Sequence, residues 1–251
     1  MGEKFNLIKY HTNFCDNLSA YAYSEILSQK TGIKCYYENN TISRNMLEKQ
    51  MSHLDLELNF LSINRVKEIS KKANELNNIY LNKKISKKHS HYINTGMFNI
   101  NDISYLSNEI INKLQFKNTD FLINHDILEE ISTTNSIGIY IDKNDDIDFD
   151  FINRALKRLN KYIKQPKVFI FSSNSKLKNQ DLYLNYKIIN IDDFKEEFTL
   201  LKSCKHKIIL NTKNSYSEGF WAAVFNQKEY CLNVYDKKIK VKRKLKNWIG
   251  V

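Results

Sequence analysis

The chain has 251 residues, 42% of them hydrophobic and 12% aromatic, which suffices for one large or two small domains and excludes a disordered class. A single proline, Pro166, and six glycines exclude collagen-like and linker-rich designs. The formal charge of +11 is unevenly spread: seven basic residues and no acidic one lie between Lys237 and Lys246, leaving +4 on the remainder. A near-neutral body with one basic tail fits an anionic membrane surface at least as well as nucleic acid.

No apolar run approaches the roughly 20 residues that cross a bilayer, and the opening residues lack a secretory h-region. Cys15, Cys35, Cys204 and Cys231 form no CxxC pair, so neither a zinc ribbon nor a disulfide framework is expected. The expected location is cytoplasmic, with the basic tail touching the inner face of the membrane.

Phe5, Leu7 and Ile8 read as a short strand, Leu18 to Gln29 as a helix closed by Gly32, and Cys35 to Tyr37 as the next strand. This is a β-α-β opening. From Ser43 to about Asn124 the pattern is mainly helical and polar, with Val66, Ile69, Ala73, Leu76 and Ile79 on one apolar face. Within it, His89 and His91 could share a strand face, but they lack a third ligand and no metal is expected.

A clearer alternation begins at Ser136. Ile137 to Ile141 reads as a strand, Phe149 to Ile163 as a helix, Val168 to Phe171 and Ile188 to Ile191 as strands. Asp193 should cap a helix through Leu201, Ile208 to Leu210 is a strand, Ser215 to Phe225 a helix, and Tyr230 to Val234 a last strand. Continuous apolar runs are what parallel strands buried on both faces require, so 134–236 reads as a Rossmann-like α/β domain. The acidic run Asp142 to Asp150 is read as a turn capping the next helix rather than a metal string, and Trp221 and Phe225 as core.

Open parallel sheets bind ligands at the carboxyl ends of their strands. The ends that matter are Asp142-Lys143, Ser172-Ser173-Asn174, and Asn211 through Ser217. Small hydroxyl residues at a helix start can donate to a diphosphate without crowding it.

The run Cys204-Lys205-His206-Lys207-Ile208-Ile209-Leu210-Asn211-Thr212, followed by Ser215-Tyr216-Ser217, Trp221 and Phe225-Asn226, resembles the C-terminal motif of the α-1,2-fucosyltransferase family. Phe169-Ile170-Phe171-Ser172 and the opening Asn17-Leu18-Ser19-Ala20-Tyr21-Ala22 are similar to further family segments. The resemblance implies an α/β fold of two Rossmann-like halves, glycosyltransferase B type, with the polar helical region in the middle. It implies an acceptor-side half at 1–133, a donor-binding half at 134–236 and a basic tail at 237–251.

The implied activity is inverting transfer of a sugar, fucose from GDP-fucose, to a saccharide or glycolipid acceptor in bacterial-type surface polysaccharide or lipopolysaccharide assembly, with no cofactor and no metal. Donor contacts would come from Asn211, Ser215, Tyr216, Ser217, His206, Lys205, Ser172 and Lys143, and the base from Asp142, Asp145 or Glu218. This sequence departs from the family where arginines would meet the donor phosphates, because Gly138 to Lys143 holds none. Another nucleotide sugar, an inactive homologue, or a basic nucleic-acid-binding module are the alternative readings.

Overall fold

The computed structural model describes residues 5–251 except 10–13, 40, 53, 55, 57, 71–73, 77–90, 94–102, 117–122, 144–145, 178–179, 211–217, 227–229 and 239–245. The chain divides into two compact units, Met1–Thr119 and Asp120–Val251.

In the first unit β1 (Asn6–Ile8) leads into α1 (Phe14–Thr31), whose last turn is closed by Gly32 at φ +72°. There the Gly32 N–H donates to the Ser28 carbonyl at 2.8 Å, a left-handed cap that a residue without Cβ makes at least cost. β2 (Cys35–Glu38), α2 (Thr41–Met51), β3 (Phe60–Leu61), α3 (Ile63–Ser70), β4 (Asn74–Leu76), β5 (His91–Ile93) and α4 (Asn108–Lys113) follow. The five strands make one parallel sheet in the order β3-β2-β1-β5-β4.

The middle region therefore contributes strands as well as helices. The expected helical stripe from Val66 to Ile79 stops at Ser70, and Asn74–Leu76 pairs with β5. Glu75 and Leu76 favour helix in isolation, but the long-range backbone pairing overrides that local preference.

The second unit comprises α5 (His125–Thr133), β6 (Asn135–Tyr140), α6 (Phe149–Asn160), β7 (Pro166–Phe171), β8 (Tyr186–Ile189), α7 (Phe194–Ser203), β9 (His206–Ile209), α8 (Glu218–Phe225), β10 (Asn233–Tyr235) and β11 (Trp248–Gly250). Its six strands are all parallel, in the order β11-β10-β9-β6-β7-β8. β6, the first strand of this unit in the chain, lies inside the sheet, with the strands that follow it in sequence placed first on one side and then on the other. The core is built on Ile137, Ile139, Leu156, Val168, Ile170 and Ile208, each fully buried. Asp148 caps α6 by accepting from the Phe151 N–H at 2.8 Å, and Asp193 caps α7 by accepting from the Lys195 and Glu196 N–H groups at 2.9 Å.

Two boundaries differ from the sequence reading. The division falls at Thr119/Asp120 rather than 133/134, because α5 belongs to the second unit: its Glu130 pairs with Lys167 of β7 and, at 2.6 Å, with Lys187 of β8. Of the expected basic tail, 239–245 lies outside the described residues, and Trp248–Gly250 forms β11. Trp248 is 9% exposed against Phe220 and Tyr235, and Ile249 and Val251 pack on the core, so these apolar residues are committed to the sheet rather than free for a bilayer. Among the described residues no helix is long and apolar enough to cross a membrane.

Candidate active site at the carboxyl edge of the second sheet

In a doubly wound sheet the ligand crevice lies outside the carboxyl ends of the two strands at which the winding reverses. Here those strands are β6 and β9, paired through Ile137↔His206 to Ile139↔Ile208. The crevice is therefore flanked by Asp142, just beyond β6, and by Leu210, just beyond β9.

The neighbouring strand end stiffens this edge. Past β6, the Ile141 N–H donates to the Phe171 carbonyl at 3.1 Å, and past β7 the Ser172 N–H donates to the Ile189 carbonyl at 3.0 Å. Ser172, 3% exposed, accepts from the Asn174 N–H at 3.0 Å through its hydroxyl. Asn174 in turn accepts from the Lys176 N–H at 3.0 Å and donates through Nδ2 to the Asp142 carbonyl at 3.3 Å. Ser172 thus supports the loop that holds the Asp142 backbone, while the side chains of Asp142 and Lys143 are exposed.

Asp142 and Glu218, expected as candidate bases, both act electrostatically on a third carboxylate. Glu197, in the first turn of α7, has its carboxyl pushed up to about 7 by burial first and then by the charges of Glu218 and Asp142. Three acids from the β6 end, the start of α8 and the α7 face therefore share one electrostatic environment. Sequence reasoning passed over Glu197. The available signal was its position one turn inside the Asp193 cap of a helix that starts at the carboxyl end of β8, which directs its first turns toward this edge.

Lys205 and His206 fall elsewhere. They lie where β9 begins, about 10 Å of extended chain from its carboxyl end at roughly 3.3 Å per residue. His206 is 6% exposed, its Nδ1 accepts from the Leu232 N–H at 3.1 Å, and burial followed by Lys207 and Lys205 lowers its pKa to about 4. The Lys205 N–H donates to the Ser136 hydroxyl at 3.0 Å. Lys207, fully buried, donates through Nζ to the Lys202 and Cys204 carbonyls at the end of α7, a favourable seat for a cation at a helix C-terminus. Asn226 donates to the same two carbonyls at 3.0 and 2.9 Å. The outer parts of the motif thus lock α7 onto β9 at the amino edge.

Asn211, Ser215, Tyr216 and Ser217, with Asp145, lie outside the described residues. Trp221 and Phe225 are core, at 0% and 7% exposure.

No protein-family model matches the chain, and no curated protein sequence matches it. Among solved structures it superposes on fucosyltransferase NodZ from Bradyrhizobium with a TM-score of 0.50 at 13% identity, covering 89% of this chain and 92% of that one. The fold is of the glycosyltransferase B type. A structure titled as NodZ α-1,6-fucosyltransferase co-crystallised with GDP gives 0.49 at 13% identity over the same shares, and a family 9 glycosyl transferase from Veillonella parvula gives 0.42 at 10% identity over 92% and 80%. The likeness to the Bradyrhizobium enzyme is one of architecture.

Proposed function

We propose that the chain is a glycosyltransferase that moves a sugar from a nucleotide-sugar donor, with GDP-fucose the first candidate, to a hydroxyl of a saccharide acceptor in surface polysaccharide or lipopolysaccharide assembly. The observation that carries this reading is the raised pKa of Glu197, which burial and the charges of Glu218 and Asp142 set at the carboxyl edge of the second sheet. The α/β fold with parallel sheets that the fucosyltransferase-like motif implies also supports it.

In this reading the donor diphosphate lies beyond β9, where Asn211, Ser215, Tyr216 and Ser217 supply small hydrogen-bonding groups and Lys143 a positive charge. The acceptor oxygen attacks the anomeric carbon as the bond from that carbon to the diphosphate breaks, and the nucleoside diphosphate leaves. The acceptor proton passes to a carboxylate. Glu197 is suited to take it, because a base titrating near 7 is half ionised at working pH and still basic enough to help. Asp142 and Glu218 are the other two candidates.

A thermal-shift screen of nucleotide sugars on the intact chain tests this. Stabilisation by GDP-fucose supports the fucosyl reading, and stabilisation by another nucleotide sugar alone moves the donor assignment. Indifference to every nucleotide sugar contradicts the transferase reading.

A further inference from the structure

The first unit holds a pocket of about 200 Å³ wholly within itself, between α1 and the face of the sheet that α1 covers. Pairing of Asn6 with Cys35 and of Ile8 with Tyr37 puts these four side chains on one face of adjacent strands. Tyr37 lines the pocket, is 3% exposed, and its hydroxyl oxygen meets no hydrogen-bond partner among the described residues. Asn6, fully buried on the same face, has an Oδ1 in the same condition. A buried hydroxyl left unmet is costly, so a polar group entering beside Tyr37 gains what the fold forgoes.

The walls indicate which group fits. Tyr21, Tyr37 and Ile8 offer apolar surface, and Ser24, Ser28 and Glu25 line the α1 side with oxygens. Ser24 already donates its hydroxyl proton to the Tyr21 carbonyl at 2.7 Å, so its oxygen is oriented to accept. The Glu25 carboxylate, 3.2 Å from the Lys113 ammonium, puts negative charge on this wall and disfavours an anionic guest. The Cys35 thiol donates to the Ser24 carbonyl at 3.2 Å and burial pushes its pKa to about 12, so it offers no nucleophile. At about 200 Å³ the space is below the 300–1,000 Å³ of drug-sized sites and equals about six or seven waters.

We propose that this pocket binds one neutral, hydroxyl-rich ring of monosaccharide size, whose apolar face lies on the tyrosines and whose hydroxyls meet Tyr37, Glu25 and Ser24. Its exposed rim, Lys34 and Asn59, precedes β2 and β3, so it opens toward the amino ends of those strands. The site is separate from the carboxyl-edge crevice of the second unit and does not rest on the transferase reading.

The test is ligand-observed NMR on the intact chain with free glucose, galactose, mannose, fucose and N-acetylglucosamine, repeated on Tyr37→Phe and on Asn59→Trp, which fills the exposed rim. At least one sugar should bind saturably. Tyr37→Phe should weaken it about three- to tenfold, the worth of one neutral hydrogen bond, with unchanged or raised thermal stability because no protein partner is lost. Asn59→Trp should block it. Binding of no sugar, the result if water alone fills the space, overturns the proposal, as does binding that both variants leave unchanged. Nucleotide-sugar turnover without free-sugar binding removes this site and leaves the transferase reading standing.

Discussion

The two ends of β9 are three residues apart and differ in nearly every physical respect. At the amino end, Lys205, His206 and Lys207 are used up inside the protein: amide to Ser136, imidazole to Leu232, ammonium to the last carbonyls of α7. At the carboxyl end, the charges of Asp142 and Glu218 act on Glu197, which titrates near neutrality. Interior polar groups that are fully satisfied stabilise; groups kept under electrostatic tension are available for chemistry.

That contrast can be broken or sharpened by substitution. The largest effect is expected from Glu197→Gln, which should lower kcat by about 10²- to 10⁴-fold, the worth of a positioned base, with folding intact. A loss confined to Asp142→Asn or Glu218→Gln would move the base to that residue. If Glu197 is the base, removing either neighbouring charge lowers its pKa, so the acid limb of the pH-rate profile should shift to lower pH in both variants.

At the amino edge the effects should appear in stability instead. A Cβ at Gly138 meets the Cβ and Sγ of Cys204 and Cδ1 of Leu201 at 3.0 Å, so Gly138→Ala should cost about 1–3 kcal/mol in denaturant unfolding, with turnover per folded molecule retained. Asn226→Ala removes two hydrogen bonds to carbonyls that Lys207 also serves, and should cost about 1 kcal/mol.

The smallest effects distinguish the edges by sign. His206 has a folded pKa near 4 against 6.5 when unfolded, so the unfolded chain binds the extra proton and stability falls as pH drops from about 6.5 to 4. Glu197 has a folded pKa near 7 against 4.5, so the folded chain holds the extra proton and stability falls as pH rises from about 4.5 to 7. Thermal melts across pH 4–7 should lose the first slope in His206→Gln and the second in Glu197→Gln.

The second sheet was legible in the sequence because its strands are apolar runs and its helices begin at Asp148 and Asp193, local signals that the fold keeps. The first unit was less so. Asn74–Leu76 and His91–Ile93 are strands through backbone pairing with distant partners, which leaves no mark in local composition. Asp142 was legible as a residue at a strand end, and the structure places it just beyond β6. Glu197 was missed because its altered acidity arises from burial and from charges 55 residues upstream and 21 downstream. His206 and Lys205 were misjudged because proximity in a motif ignores strand direction.

The central claim is that a nucleotide-sugar donor sits at the carboxyl edge between β6 and β9. Calorimetric titration of GDP-fucose, or of whichever nucleotide sugar the thermal screen selects, into the intact chain, the Asn211→Ala/Ser217→Ala double variant and His206→Gln tests it most directly. The account predicts binding that the double variant weakens by about tenfold or more, the worth of two hydrogen bonds, and that His206→Gln leaves nearly unchanged. Loss of affinity in His206→Gln with none in the double variant would contradict it.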